Sequence, residues 1–205
     1  MKSKGIYCIE ADWSSRPRDS ASVAPVLELL SQVENIRSYH RYAINADAAR
    51  VLLQQWCQKR FGPYPILWLA CHGSEGKIHF LDVRRKNGTM TIDQIEEVLS
   101  KKRCKGSLIY FGSCSVLKLS SNRWQRFMRN THSLAVCGYR KDVSWIESAA
   151  FELLLLTQIQ QNALTRAGAK AMKRKVKQQV KGMARDLGFT MFIRDSGRPG
   201  RPRRS

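Results

Sequence analysis

Acidic side chains are scarce in this chain: 16 Asp and Glu stand against 36 Lys and Arg, a formal net charge of +20 at pH 7. Several landmarks of chemistry are missing as well. No Gly-x-Gly-x-x-Gly or Walker sequence occurs, which removes the usual phosphate-cradling loops. No serine sits in a Gly-x-Ser-x-Gly elbow, so a hydrolase of that design is not indicated. The six cysteines (8, 57, 71, 104, 114, 137) form no Cys-x-x-Cys pair and follow no regular spacing. That argues against a disulfide framework and for free, mostly buried thiols in a reducing, cytoplasmic setting. Cys71, His72 and His79 lack any recognised ligand spacing, so neither metal nor other cofactor is expected. Long apolar runs are also lacking. The longest, Ala149 to Leu156, is broken by Glu152, and the start of the chain leads into a strand-like run too short for a signal peptide, so no membrane association is expected.

What is present suffices for a packed core: 205 residues, 43% apolar and 9% aromatic. The excess positive charge is uneven. From Ala163 to Ser205 there are 13 Lys and Arg against 2 Asp, an asymmetry that fits either a polyanionic or acidic partner or a solvated basic surface.

Apolar runs and turn residues alternate along the chain. Strands are expected at Gly5–Ile9, Ile36–Ala43, Ile66–Cys71, Gly106–Gly112 and Ser133–Gly138. Helices are expected from Val23 to Glu34 behind Ser22, from Asn45 or Asp47 to Lys59, and from Thr91 to Lys102 with Gln94 completing a capping box. Two more follow, over Val116–Arg129 with a break near Ser120, and from Val143 or Ser144 to Leu164. Lys77–Val83 and Thr89–Met90 flank an Asn87-Gly88 turn and predict a hairpin. The pattern predicts an α/β fold with a mostly parallel sheet between helical layers. Residues 1–165 would form the domain. Residues 166–205 would be a basic extension, helical over Ala167–Leu187 with weak points at Gly168 and Gly182, with a further strand conceivable at Phe189–Arg194 and an unstructured end.

Two strand ends stand out. The run Ile66–Cys71 stops at His72-Gly73-Ser74, and Leu108–Phe111 stops at Gly112-Ser113-Cys114-Ser115. Ligands and chemistry collect at the carboxyl edge of an open parallel sheet. A thiol and an imidazole brought together there are a nucleophile and its base. Taken singly, His72 could be a backbone-bonded strand-end histidine and Cys114 an inert buried thiol. At matching strand ends, with a hairpin between them, they point to catalysis or its ancestry. A glycine at position 73 would leave room for an approaching substrate.

A strand ending in His-Gly, then a hairpin, a helix and a strand ending in Cys resembles the caspase-like cysteine peptidases of clan CD. Within them the chain looks most like small bacterial CHAT-domain proteins, through Gly138-Tyr139 and the helix from Trp145 to Phe151. The resemblance covers about residues 4–160 and implies a three-layer caspase-like fold. It implies His72 as general base, Cys114 as nucleophile, and the Gly73 and Cys114 amides as oxyanion hole. It places the specificity pocket in the loops Glu10–Trp13 and Tyr139–Trp145. There Glu10, Asp12 and Asp142 would suit a Lys or Arg at the cleaved bond, while Arg140 and Lys141 would suit an acidic one. Gly112-Ser113-Cys114-Ser115-Val116 departs from the Gln-Ala-Cys-Arg/Gln-Gly of caspases proper, and no long linker follows for activating cleavage.

The expected function is therefore a cysteine endopeptidase acting on a protein or peptide after a basic residue, with an upstream activator and a role in bacterial defence or signalling by analogy. Two alternatives stay open: an inactive caspase-like binding or assembly module, and a nucleic-acid binder acting through residues 166–205. Lys170, Lys173, Arg174, Lys175, Lys177 and Lys181 are of phosphate-binding type, and Gly197-Arg198-Pro199 faintly resembles a minor-groove hook, with few aromatics for base stacking.

Overall fold

The computed structural model describes residues 3–13, 21–80, 87–100, 104 and 106–196. The expected hairpin turn over 84–86 and the terminal Gly/Pro/Arg segment lie outside them. The chain begins with β1 (Ile6–Glu10), α1 (Ala24–Glu34), β2 (Ser38–Tyr42), α2 (Ala46–Trp56) and β3 (Ile66–Ala70). Three short strands follow, β4 (His72–Ser74), β5 (Lys77–His79) and β6 (Thr89–Thr91), and then α3 (Ile92–Ser100). The second half holds β7 (Leu108–Phe111), α4 (Ser121–Thr131), β8 (Ala135–Tyr139), α5 (Trp145–Gln160), α6 (Arg166–Gln179), α7 (Lys181–Asp186) and β9 (Phe189–Ile193).

Six strands form one sheet in the order β2-β1-β3-β7-β8-β9. Its first five members are parallel, and β9 closes the edge antiparallel to β8. Every residue of β1, β3, β7 and β8 is buried, which is why these strands, Glu10 at the end of β1 apart, are apolar rather than alternating. Successive side chains point to opposite layers. Leu67, Leu69 and Cys71 pack toward α2, α3 and α4, whereas Ile66, Trp68 and Ala70 pack toward α1, α5 and α6. The sheet is thus covered on both faces, as the strand and helix alternation predicts.

Local signals explain most boundaries. The Thr91 and Gln94 side chains each accept the other's backbone N–H, at 3.2 and 2.8 Å, so the capping box starts α3 as expected. Ser120, Ser144 and Thr165 cap α4, α5 and α6 through their hydroxyls. Ser22 stands one residue before the cap position, which Val23 occupies; its hydroxyl accepts the Ala24 N–H at 3.0 Å and donates to Glu10.

Three features correct the sequence reading. The hairpin is part of a three-stranded sheet, because His72–Ser74 itself forms β4 and pairs with β5 across a turn at Gly76 (φ +67°). Only three residues long and polar, β4 carries no periodicity to detect. The basic helical stretch breaks at Val180 rather than at Gly182. Finally, position 165 is not a boundary: α6 buries Ala169, Met172 and Val176 in the same core as α1 and α5, and β9 supplies the sixth strand of the sheet. An amphipathic stripe among many lysines is easily outweighed by the net charge of the segment. Among the described residues, no helix is long and apolar enough to cross a membrane.

Integration of residues 166–196 has a direct consequence. Met172→Ala, at a fully buried position, is expected to cost roughly 2–5 kcal/mol in urea unfolding. A chain truncated after Thr165 is expected to lose its cooperative melt, since the β8 edge and the α5 face would be stripped.

Candidate active site

Parallel pairing of β3 with β7 sets Leu69 opposite Phe111, so the two chains leave the sheet side by side at its carboxyl edge. His72 and Cys114 follow within three residues and line one cavity of about 120 Å³. Trp13, Val23, Val143 and Trp145 supply apolar wall, and Gly112, Ser148 and Glu152 complete it.

His72 is exposed but held. Its Nε2 lies 2.7 Å from the Trp13 carbonyl oxygen, which can only accept, so Nε2 is a donor and in the neutral ring the lone pair is on Nδ1. The Trp13 indole packs edge-on against the imidazole with centroids 5.2 Å apart. Cys114 is partly exposed, whereas Cys8, Cys71 and Cys137 are buried. Burial pushes the Cys71 thiol up to about 12, which makes that neighbour of His72 inert. The Val143 N–H points at the Cys114 sulfur from 3.4 Å, and the thiol faces the Val143 carbonyl at 3.9 Å.

The turn carrying Cys114 is braced from several sides. Ser115 takes a left-handed conformation (φ +57°) that a non-glycine residue adopts only under constraint. Its N–H donates to the Lys141 carbonyl at 3.0 Å and its hydroxyl to Asp142 Oδ1 at 2.7 Å. Gly73 fits between this turn and β4. A Cβ there would lie 2.7 Å from the Cys114 carbonyl oxygen, 2.6 Å from Val116 and 2.9 Å from Ser113 Cβ. The glycine therefore serves the seating of the thiol turn against the His strand, not only access for a substrate.

The three acids expected to read the substrate have different surroundings. Glu10 is fully buried and accepts four bonds: from Trp13 Nε1 (2.6 Å), Val23 N–H (2.8 Å), Ser22 Oγ (2.8 Å) and His40 Nε2 (2.6 Å). Burial works to raise its pKa, but the bonds from His40, Trp13, Val23 and Ser22 outweigh it and hold the carboxyl below its usual range. Its role in the structure is to fix Trp13, and through Trp13 the imidazole. His40, on the edge strand β2, is the partner of that buried carboxylate. Asp12 is exposed, and Asp142 is tied to Ser115; neither lines the cavity. Arg140 and Lys141 do not line it either: their side chains reach the Lys118, Arg185 and Asp186 carbonyls at 3.4 Å.

One acid in the wall was missed. Glu152, which looks in sequence like an interruption of an apolar helix, is buried at the cavity wall. The Tyr110 hydroxyl lies 2.7 Å from its Oε1 and 2.8 Å from the Tyr139 hydroxyl. Burial pushes its pKa up to about 8, only partly offset by the two tyrosines. Gly112 makes space for it: a Cβ there would lie 2.4 Å from Trp68 Nε1 and 3.2 Å from Glu152 Oε1. The spacing Trp145, Ser148, Glu152 is the available clue, since it places all three on one helical face.

A family model described as a family of unknown function (DUF6642) matches residues 3–193. The chain belongs to DUF6642. No curated protein matches the DUF6642 chain at a significant level. Among solved structures it is similar to caspase-1 from Spodoptera frugiperda, with a TM-score of 0.58 and 15% identity over 94% of this chain and 87% of that one. It is also similar to a secreted C11 cysteine protease from Bacteroides thetaiotaomicron, solved with an irreversible peptide inhibitor, with a TM-score of 0.50 and 12% identity over 70% of this chain. The match spans 50% of that protease. These likenesses show the fold: the DUF6642 chain has the caspase-like α/β architecture.

Because Glu10 is held by four donors, Glu10→Ala is expected to cost roughly 3–5 kcal/mol at pH 7, as removal of one partner from a buried charged network does. A depressed folded pKa stabilises above the unfolded value, about 4.3, and that stabilisation is lost as pH falls through the folded value. Urea unfolding of both proteins should therefore show a gap that is full at pH 7 and narrows below pH 4.

Proposed function

We propose that this protein is a cysteine endopeptidase that cuts after a basic residue. The carrying observation is the convergence of His72 and Cys114 on one cavity from adjacent parallel strands. In this reading Cys114 Sγ attacks the scissile carbonyl carbon as its proton passes to His72 Nδ1, the nitrogen left free by the Trp13 bond. The Gly73 and Cys114 amides receive the oxyanion, each worth about 3–4 kcal/mol of transition-state stabilisation. His72 returns the proton to the leaving amine, and water then hydrolyses the thioester. Asp142, through Ser115, positions the thiol turn. The likeness to small CHAT-type proteins is part of this reading and brings with it an upstream activator protein.

Labelling by a Lys- or Arg-directed acyloxymethyl ketone, read by intact mass, is expected on wild-type protein and absent from Cys114→Ala. His72→Ala should slow cleavage of a matching peptide by about 10²–10⁴-fold. A folded protein whose Cys114 ignores such probes would end the peptidase reading and leave the assembly module.

A second reading has its own observation. Between α6, α7 and β9 a cavity of about 330 Å³ is lined by Lys173, Lys177, Lys181 and Arg185. Lys173 is half-buried, donates to the Met191 carbonyl at 2.7 Å, and has its pKa lowered by burial and by Lys177. Such convergence of like charge suits a polyanion, nucleic acid included. Binding of a DNA or RNA duplex should then weaken steeply with salt, and Lys177→Ala with Lys181→Ala should lessen the log–log slope by about one for each phosphate no longer neutralised. Salt-independent binding, or none at low salt, rules this surface out.

A further inference from the structure

We infer that Glu152 is the specificity determinant of the cavity, the group that takes the cationic end of a Lys or Arg side chain. This deepens the peptidase reading and rests on it only for the identity of the ligand. Among the described residues, Glu10 and Glu152 are the only buried Asp, Glu, Lys or Arg side chains. Glu10 has four donors; Glu152 has at most two, the hydroxyls of Tyr110 and Tyr139, which also bond each other. An ionised Glu152 is therefore short of compensation in the empty cavity, and a bound cation is what would supply it.

The surroundings agree. Trp13 and Trp145, with ring centroids 6.1 Å apart and tilted 66°, form aromatic wall of the kind that attracts cations. The cavity volume is about four waters' worth at ~30 Å³ each, room for one extended side chain. It opens beside Cys114, so a side chain seated against Glu152 brings its own backbone toward the sulfur. The basic residues nearest in sequence, Arg140 and Lys141, are directed elsewhere.

Ligand binding must also be linked to protons. Glu152 faces Tyr110 from β7 and Tyr139 from β8, with Glu10 and Cys8 toward β1 and His72 and Cys114 on the cavity. Burial holds the empty site's carboxyl near 8, so a cation binds with release of a proton, and its affinity rises with pH until Glu152 is ionised without help. In the unliganded protein the sign is opposite: a carboxyl with a raised folded pKa loses stability as pH rises from about 4.3, the unfolded value, toward 8.

The test uses Cys114→Ala protein, so that turnover plays no part, and calorimetry with acetyl-Ala-Ala-Arg-amide, its Lys analogue, and Gln and norleucine analogues as uncharged controls. The Arg or Lys peptide should bind about tenfold or more tightly than norleucine, the advantage of a charge-assisted bond. It should gain affinity between pH 6.5 and 8.5 and release a proton detectable by changing buffer ionisation heat. Glu152→Gln, which keeps the shape and an acceptor for Tyr110, should abolish all three effects. Preference for Gln, which would reflect the unpartnered Trp145 N–H, overturns the inference, as does an Arg preference unchanged in Glu152→Gln or absence of binding by folded protein. Charge-selective binding by a protein that never cleaves would sink the peptidase reading alone. Cleavage indifferent to Glu152 would sink this inference alone.

Discussion

Direct hydrogen bonding of β3 to β7 is the constraint on which the site depends. Neighbouring parallel strands lie about 4.8 Å apart, and residues leaving them at the same edge have no choice but to be near one another. Parallel order requires that the intervening chain, from Cys71 to Ser107, return to the opposite edge before β7 can begin. β4, β5, β6 and α3 make that return, with α3 packed on the sheet. The small sheet is consequently more than a connector: its first strand starts at His72 itself, so pairing with β5 fixes the backbone that carries the imidazole. Gly73 then allows that backbone to lie against the thiol turn.

A second layer of order comes from two acids, Glu10 in the interior and Asp142 at the surface. Glu10 ends β1, beside β3, and gathers donors from β2, from the start of α1 and from the loop after β1. Those connections carry information outward in one direction: Glu10 fixes the Trp13 indole, the Trp13 carbonyl fixes His72 Nε2, and the remaining ring nitrogen is left for chemistry. Asp142 does the equivalent for the thiol side by holding Ser115 in its left-handed conformation. Two of the three acids placed near the site by sequence thus act on the reacting residues' positions and not on a ligand's charge.

How much of this was legible depended on whether the signal was local. The fully buried strands, the Thr91–Gln94 capping box and the alternation of strand and helix are local patterns, and they fixed the architecture as well as the edge where His72 and Cys114 emerge. What sequence could not show was which side chains share a layer across the sheet. Glu152 follows Cys114 by 38 positions, and only the packing of α5 over β3, β7 and β8 sets it under the cavity. Likewise Met172 and Val176 look like sparse apolar residues among lysines until α6 is seen docked on α5. His40, on a half-exposed edge strand, gave no sign that its register opposite Cys8 would bring it to Glu10.

The unequal treatment of two buried carboxylates in a chain so rich in cations is the strongest physical clue to what the cavity is for. A buried carboxylate with several donors is a structural group, stable in its charged form. One with few donors stays protonated near neutrality or waits for a partner. Replacing Glu152 by a leucine or methionine of similar size would remove that penalty, and the surrounding helix is apolar enough to accept it. A carboxylate kept at such a cost, beside a partly exposed thiol and an oriented imidazole, and walled by two tryptophans, is better explained by what enters the cavity than by what holds the fold.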